Sequence, residues 1–106
     1  MGLNVEQSER RACAVIKVSG DVDLYSSPDL RATLVKTIPK TQCETVAVDL
    51  SEVAYMDSSG VATLVEGLQR SQKQKKRFCL LAPANAVMKV LHLARLDTVF
   101  DIRAAL

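Results

Sequence analysis

A short apolar run, a polar turn and a helical repeat follow one another between Val46 and Leu68, and this junction constrains the fold more than any other stretch of the chain. Val46-Ala47-Val48-Asp49-Leu50 has the length and content of a buried strand. Val61, Leu64, Val65 and Leu68 recur at the spacing of one helical face. Between them lies Asp57-Ser58-Ser59-Gly60. Ser and Asp just ahead of a helical repeat supply side-chain oxygens that accept the first free backbone N–H groups. A serine there also meets the positive end of the helix dipole, where outward-pointing amides tolerate an anion. Ser58 therefore has two readings, a helix cap or an exposed modification switch.

The same alternation extends to both sides. Ala12 to Val18 reads as a strand, with Ala12, Ala14, Ile16 and Val18 on one side and Cys13, Val15 and Lys17 on the other. Gly20 breaks it, and Asp21 to Tyr25 form a loop with a short extended piece. Ser26 and Ser27 precede Pro28, a residue favoured at the first helical position. Leu30, Leu34 and Ile38 then mark the face of a first helix, which Pro39 is expected to end. A strand follows from Thr45 to Leu50, and a second helix from Ser58 to Lys73. Gly60, Thr63 and Gly67 give that helix a small-residue face, open to a neighbouring helix or to a partner. Phe78 to Leu81 is the next strand, and Ala84 to Leu93 a third helix with Val87, Val90, Leu91 and Ala94 inward. Leu96 to Ile102 supplies a loop and a closing strand. Strands alternating with helices predict an α/β fold with parallel pairing.

Composition narrows the function classes. The 106 residues are expected to form one domain, residues 1–106, with a single modest core. At 4% aromatic, with no Trp, the chain offers no stacking platform for bases or sugars. A net charge of +2 is too small to imply a polyanionic partner by itself. No run of about 18 apolar residues predicts a membrane span, and the polar segment Met1 to Arg11 has no signal-peptide core. Cys13, Cys43 and Cys79 lack the pairing or spacing of a disulfide framework or zinc site. Cys13 and Cys79 fall in apolar runs and are expected buried and reduced, whereas Cys43 falls in a polar turn that suggests exposure. Reduced thiols fit the cytoplasm.

Other constellations read as structural. The D-x-D pair Asp21 and Asp23 resembles a Mg²⁺-dependent phosphatase opening, but Leu24-Tyr25 follows in place of the residues that chemistry uses. An acidic turn, with Asp23 bonding loop amides, is the plainer account. Asp57 lacks the acidic pair and downstream lysine of a receiver domain. His92 has no third group tying it to Ser58, so Ser58 reads as another enzyme's substrate and not as a nucleophile. Lys73, Lys75, Lys76 and Arg77 end a helix, where cations oppose the negative dipole end. They lack the aromatic interleaving of a nucleic-acid site.

Asp49-Leu50-Ser51, Val53 and Tyr55-Met56-Asp57-Ser58-Ser59-Gly60-Val61-Ala62-Thr63-Leu64 together closely resemble the signature of the STAS domain family, most of all its bacterial anti-sigma factor antagonists. Val18-Ser19-Gly20-Asp21-Val22-Asp23 matches that family's early strand and G-(D/E)-x-D turn, and Phe78 to Ile102 its later strand, helix and closing strand. The resemblance implies a small mixed sheet with helices mainly on one face. It implies a cytoplasmic, non-enzymatic protein with no cofactor and no direct nucleic-acid contact. It implies phosphorylation at Ser58 by an anti-sigma factor or related serine kinase, reversed by a serine phosphatase. Asp21, Asp23, Asp57, Ser58, Ser59, Gly60, Thr63 and Gly67 are the expected partner surface. A STAS regulatory subunit of a transporter, for example in a lipid-transport ABC system, is the alternative.

Overall fold

The strand–helix alternation appears in the computed structural model as β1 (Asn4–Arg10), β2 (Cys13–Ser19), α1 (Ser27–Lys40), β3 (Thr45–Glu52), α2 (Ser58–Lys73), β4 (Arg77–Leu81), α3 (Asn85–Leu93) and β5 (Asp101–Arg103). The structure describes residues 3–106; Met1 and Gly2, part of the polar segment noted above, lie outside the described residues. The five strands form one sheet in the order β1-β2-β3-β4-β5. β1 pairs antiparallel with β2, and the remaining neighbours are parallel. Each parallel crossover steps one strand in the same direction. Right-handed connections then put all three helices on one face of the sheet.

Burial follows the pleat. Ala14, Ile16, Val18, Val46, Val48, Leu50, Phe78 and Leu80 point to the helices. There they meet Leu30, Leu34 and Ile38 of α1, Val61 and Leu64 of α2, and Val87 and Leu91 of α3. On the helix-free face, Val15, Ala47, Cys79 and Leu81 make a smaller cluster, with Cys13 and Leu106 packed on it.

Four local expectations are corrected. β1 was hidden because only Val5 along its length is apolar and half-buried, while the rest of the strand is exposed polar edge. The two-residue turn that joins it to β2 is Arg11-Ala12, with φ of 52° and 63°. Such hairpin turns usually announce themselves by Asn-Gly or Gly; here they do not, and Ala12 is spent in the turn. Pro39 does not stop α1, which runs to Lys40 with Thr41 N–H bonded to the Thr37 carbonyl. Pro39 sits in the last turn, where few further hydrogen bonds remain to lose. Cys43 is buried in the helix-side core, while Cys13 is only half-buried. Ala94 is exposed, so α3 buries Val87 and Leu91 alone.

Candidate functional site

The start of α2 is held by the loop that follows β2. The Val22 N–H donates to the Tyr55 carbonyl at 2.9 Å, and the Asp57 N–H donates to the Val22 carbonyl at 3.0 Å. The resulting isolated bridge between Val22 and Met56 is parallel and fully buried. It carries Asp21 and Asp23 to the side of the helix start.

Asp57, not Ser58, caps α2. Its Oδ1 accepts the N–H groups of Ser59 at 2.9 Å and Gly60 at 3.3 Å. Ser58 is then the first helical residue and is exposed. The cap reading of Ser58 is thereby excluded. Ser59 is half-buried, its amide taken by Asp57 and its carbonyl accepting the Thr63 hydroxyl at 2.9 Å. Of the two neighbouring serines, Ser58 presents its side chain to solvent.

Gly60 explains why a glycine closes this motif. A Cβ there would stand 2.6 Å from Met56 Cγ and 2.8 Å from Val22 Cγ1. The first turn of α2 lies directly on the bridge, and only hydrogen fits between them. Gly67 repeats the device one step along, where a Cβ would meet Phe78 Cζ at 2.8 Å and Leu34 Cδ1 at 3.2 Å.

This corrects the expected partner strip. Gly60, Thr63 and Gly67 are buried, with Thr63 only 7% exposed. Small residues here admit α1, β4 and the bridge rather than a partner. The solvent side of α2 passes instead through Ser58, Ala62 and Gln69, flanked by half-buried Val65 and Glu66. Glu66 takes a two-pronged contact from Arg31 of α1 (Nε at 2.7 Å, Nη2 at 3.0 Å) and a third from Arg70 Nε at 2.8 Å. Those guanidinium hydrogen bonds hold its carboxyl below the ordinary glutamate value.

Asp21 is exposed and Asp23 half-buried beside it. Asp23 Oδ1 accepts the amides of Ser26 and Tyr25, each at 2.9 Å. The bond from the Ser26 backbone is the chief reason its pKa is lowered. Ser26 Oγ accepts the Asp23 amide and donates to the Asp21 carbonyl. Asp23 thus builds the loop, as the acidic-turn reading expected. An open cavity of about 440 Å³ is lined by Asp21, Asp23 and Asp29 with Tyr25 and Ser26.

The sequence reading missed the apolar rim of this end. Tyr25 is 89% exposed, Leu24 65% and Tyr55 52%. The available signal was position: both tyrosines lie in the two loops that the Val22–Met56 bridge joins. His92 is at the far end of α3, bonded through Nδ1 to Asp97 at 2.9 Å, and takes no part in the site.

Comparison with known proteins places this geometry in context. A family model described as "Mlab, STAS domain" matches residues 5–103. The chain is 29% identical over 65 residues to the anti-sigma F factor antagonist of Paenibacillus polymyxa, covering 61% of this chain and just over half, 56%, of that protein. It is 27% identical over 104 residues to the anti-sigma-B factor antagonist of Bacillus subtilis, covering 98% and 94%. The fold matches an anti-sigma factor antagonist from Mycobacterium paratuberculosis with a TM-score of 0.87 at 23% identity, covering 98% of this chain and 87% of that one. It matches the Bacillus cell fate determinant SpoIIAA in its phosphorylated form with a TM-score of 0.73 at 22% identity, covering 96% and 92%.

Proposed function

The chain belongs to the STAS domain family, and we propose that it is a single-domain, cytoplasmic anti-sigma factor antagonist switched by phosphorylation of Ser58. In this reading the unphosphorylated protein binds an anti-sigma factor that is also a serine kinase. Ser58 Oγ takes the γ-phosphoryl group of ATP bound to that partner, ADP leaves, and the complex dissociates. A separate serine phosphatase restores the hydroxyl. The protein itself is substrate and ligand, not enzyme.

The observation that carries the reading is the division of labour between Asp57 and Ser58. Asp57 satisfies the helix start, which leaves Ser58 exposed on it. A phosphate adds about −1.5 to −2 charge. It would stand beside the Asp57 carboxylate, on a surface whose apolar rim is Leu24, Tyr25 and Tyr55. A partner closed over that rim would lose contact and meet a desolvated negative charge.

The test is incubation with the cognate kinase and ATP, followed by mass spectrometry. One phosphate on Ser58 is expected, and none on the Ser58→Ala variant. Phosphate placed mainly on Ser59, Ser26 or Ser27 refutes the assignment. Ser58→Asp should bind the kinase at least tenfold more weakly, about 1.4 kcal/mol. The family resemblance leaves one second reading, a regulatory subunit of a transporter such as a lipid-transport ABC system. Co-purification with a transporter ATPase or permease in place of a kinase would select it.

A further inference from the structure

The two ends of the molecule carry opposite charge. β2 to β5 all start at one pole, and the three helices, running back, all end there. Lys40 closes α1, Lys73 closes α2, and Lys75, Lys76 and Arg77 lead into β4. Arg10 and Arg11 turn the β1–β2 hairpin at the same pole, and Arg95 follows α3. Lys76 is used internally, its Nζ donating to the Ile38 carbonyl at the end of α1. The other seven are exposed and, among the described residues, none forms a salt bridge. Glu9, Glu44, Asp97 and Asp101 are the local acids; Asp97 is already paired with His92 and Asp101 with Arg103. Each helix end contributes only about half a negative charge. The cations therefore exceed what the helix ends require. The opposite pole, with Asp21, Asp23, Asp29, Glu52 and Asp57, is acidic.

Two further observations set this pole apart from an ordinary solvated one. Arg11, Lys75 and Arg95 have φ of 52°, 58° and 58°. That left-handed conformation favours Gly or Asn and costs a long side chain energy. Three tight turns at one pole thus hold cations where glycine would be easier. Leu93 is also 72% exposed and Val99 53% exposed at the same pole. The Cys79–Asp101 pairing runs Val99 alongside Arg77, and the rings of Phe78 and Phe100, the residues between, have centroids 6.4 Å apart.

We propose that this pole docks on the surface of an anionic phospholipid bilayer, with the Ser58 end turned away from it. Clustered basic charge, from lysine and arginine alike, acts on a fluid headgroup layer without needing fixed geometry. Exposed aliphatic side chains among the cations suit the headgroup–acyl boundary. A single-stranded nucleic acid would call for exposed aromatics to stack its bases, and the exposed apolar residues at this pole are Leu and Val. Repulsion of the acidic pole orients the domain, so a partner reaches Ser58 from the side away from the bilayer.

Flotation with vesicles of phosphatidylglycerol and phosphatidylcholine tests it on the intact protein. Binding at 50 mM salt is expected, lost on pure phosphatidylcholine and strongly reduced at 300 mM salt, where screening is short-ranged. Lys75→Gly/Arg95→Gly should weaken vesicle binding about tenfold or more while raising the melting temperature, because glycine relieves both turns. A merely structural role for these cations predicts no change in binding. Lys17→Gln/Lys89→Gln removes equal charge away from the pole and should bind nearly as the parent does. Leu93→Ser/Val99→Ser should weaken binding without altering its salt dependence. Absence of phosphatidylglycerol-dependent flotation overturns the proposal. So does equal weakening by the two charge pairs, or retention of duplex DNA in place of vesicles.

Discussion

Gly60→Ala adds one methyl group at the most crowded point of the site. The helix itself would welcome it, since Ala is favoured over Gly in a helix by about 1 kcal/mol. The surroundings would not. The new carbon would lie 2.6 Å from Met56 Cγ and 2.8 Å from Val22 Cγ1. Met56 is unbranched and can rotate, but it is 1% exposed and its neighbours are closed around it. Val22 is fully buried and stiff about its first torsion. Its backbone is also fixed by both bridge hydrogen bonds. Overpacking a closed core costs about 1–3 kcal/mol, and two contacts under 3.0 Å with closed-in side chains put this site at about 2–3 kcal/mol. Set against the propensity gain, the net loss should be about 1–2 kcal/mol. With a urea slope of about 1.5 kcal/mol/M, that moves the midpoint down by about 1 M. A double-mutant cycle with Met56→Ala sharpens the test. Met56→Ala alone should cost about 2–5 kcal/mol, and in that background Gly60→Ala should become far less harmful. A Gly60→Ala protein as stable as its parent, or one whose penalty is the same with and without Met56, would refute the close-approach argument.

Thr63→Arg and Ala62→Arg separate the buried from the exposed side of α2. Thr63→Arg should destabilise by more than about 2 kcal/mol in denaturant melts, because it forces a cation into a closed site. Ala62→Arg should stay within about 0.5 kcal/mol of the parent yet abolish kinase binding in titration, as the proposed partner surface requires. The Glu66 clasp gives a pH dependence of defined sign. Its folded pKa lies below the ordinary 4.5, so the unfolded chain binds more protons and stability rises with pH through this window. The contribution is complete above about pH 4.5 and is lost as pH falls through the lowered folded value. Glu66→Gln should flatten that part of the stability-against-pH curve and lower neutral stability by about 0.5–1 kcal/mol, the scale of exposed pairs; an unchanged acid limb would remove the clasp from the account.

Much of the fold was legible because its signals were local. α2 begins at Ser58 and ends at Lys73 as its repeat predicts, and the crossovers fix on which side of the sheet the helices lie. What escaped depended on partners distant in sequence. The burial of Gly60 and Gly67 is set by Met56, Val22, Phe78 and Leu34, and no periodicity within α2 reports them. A small-residue face looks the same whether it awaits a partner or is already filled. β1 escaped for a different reason. An edge strand against one neighbour needs only occasional apolar residues, and Thr37 on α1 reaches it through the Gln7 side chain at 3.0 Å, a contact without sequence signature. The assignment of the cap to Asp57 was also beyond local reading. In Asp-Ser-Ser-Gly each of the first three residues is able to cap, and the bridge that fixes the Asp57 backbone decides among them.

That decision bears on how a switch at Ser58 would work. Helix N-termini attract phosphate because their first amides are unsatisfied. Here two of those amides already bond to Asp57, and the Val61 amide bonds to the Asp57 carbonyl. A phosphate on Ser58 would find little left to satisfy and one carboxylate to repel it. The helix dipole still favours it, by about 0.3–1 kcal/mol at an exposed end. Attraction and repulsion of similar size leave the fold nearly indifferent to the modification. A partner closing over Leu24, Tyr25 and Tyr55 is not indifferent, because excluding water removes the screening that makes the charge tolerable. The cap therefore insulates the fold from the switch and leaves the interface to feel it. Ser58→Asp should accordingly move the unfolding free energy by less than about 1 kcal/mol. A larger shift in stability, in either direction, would mean that Asp57 does not shield the helix start.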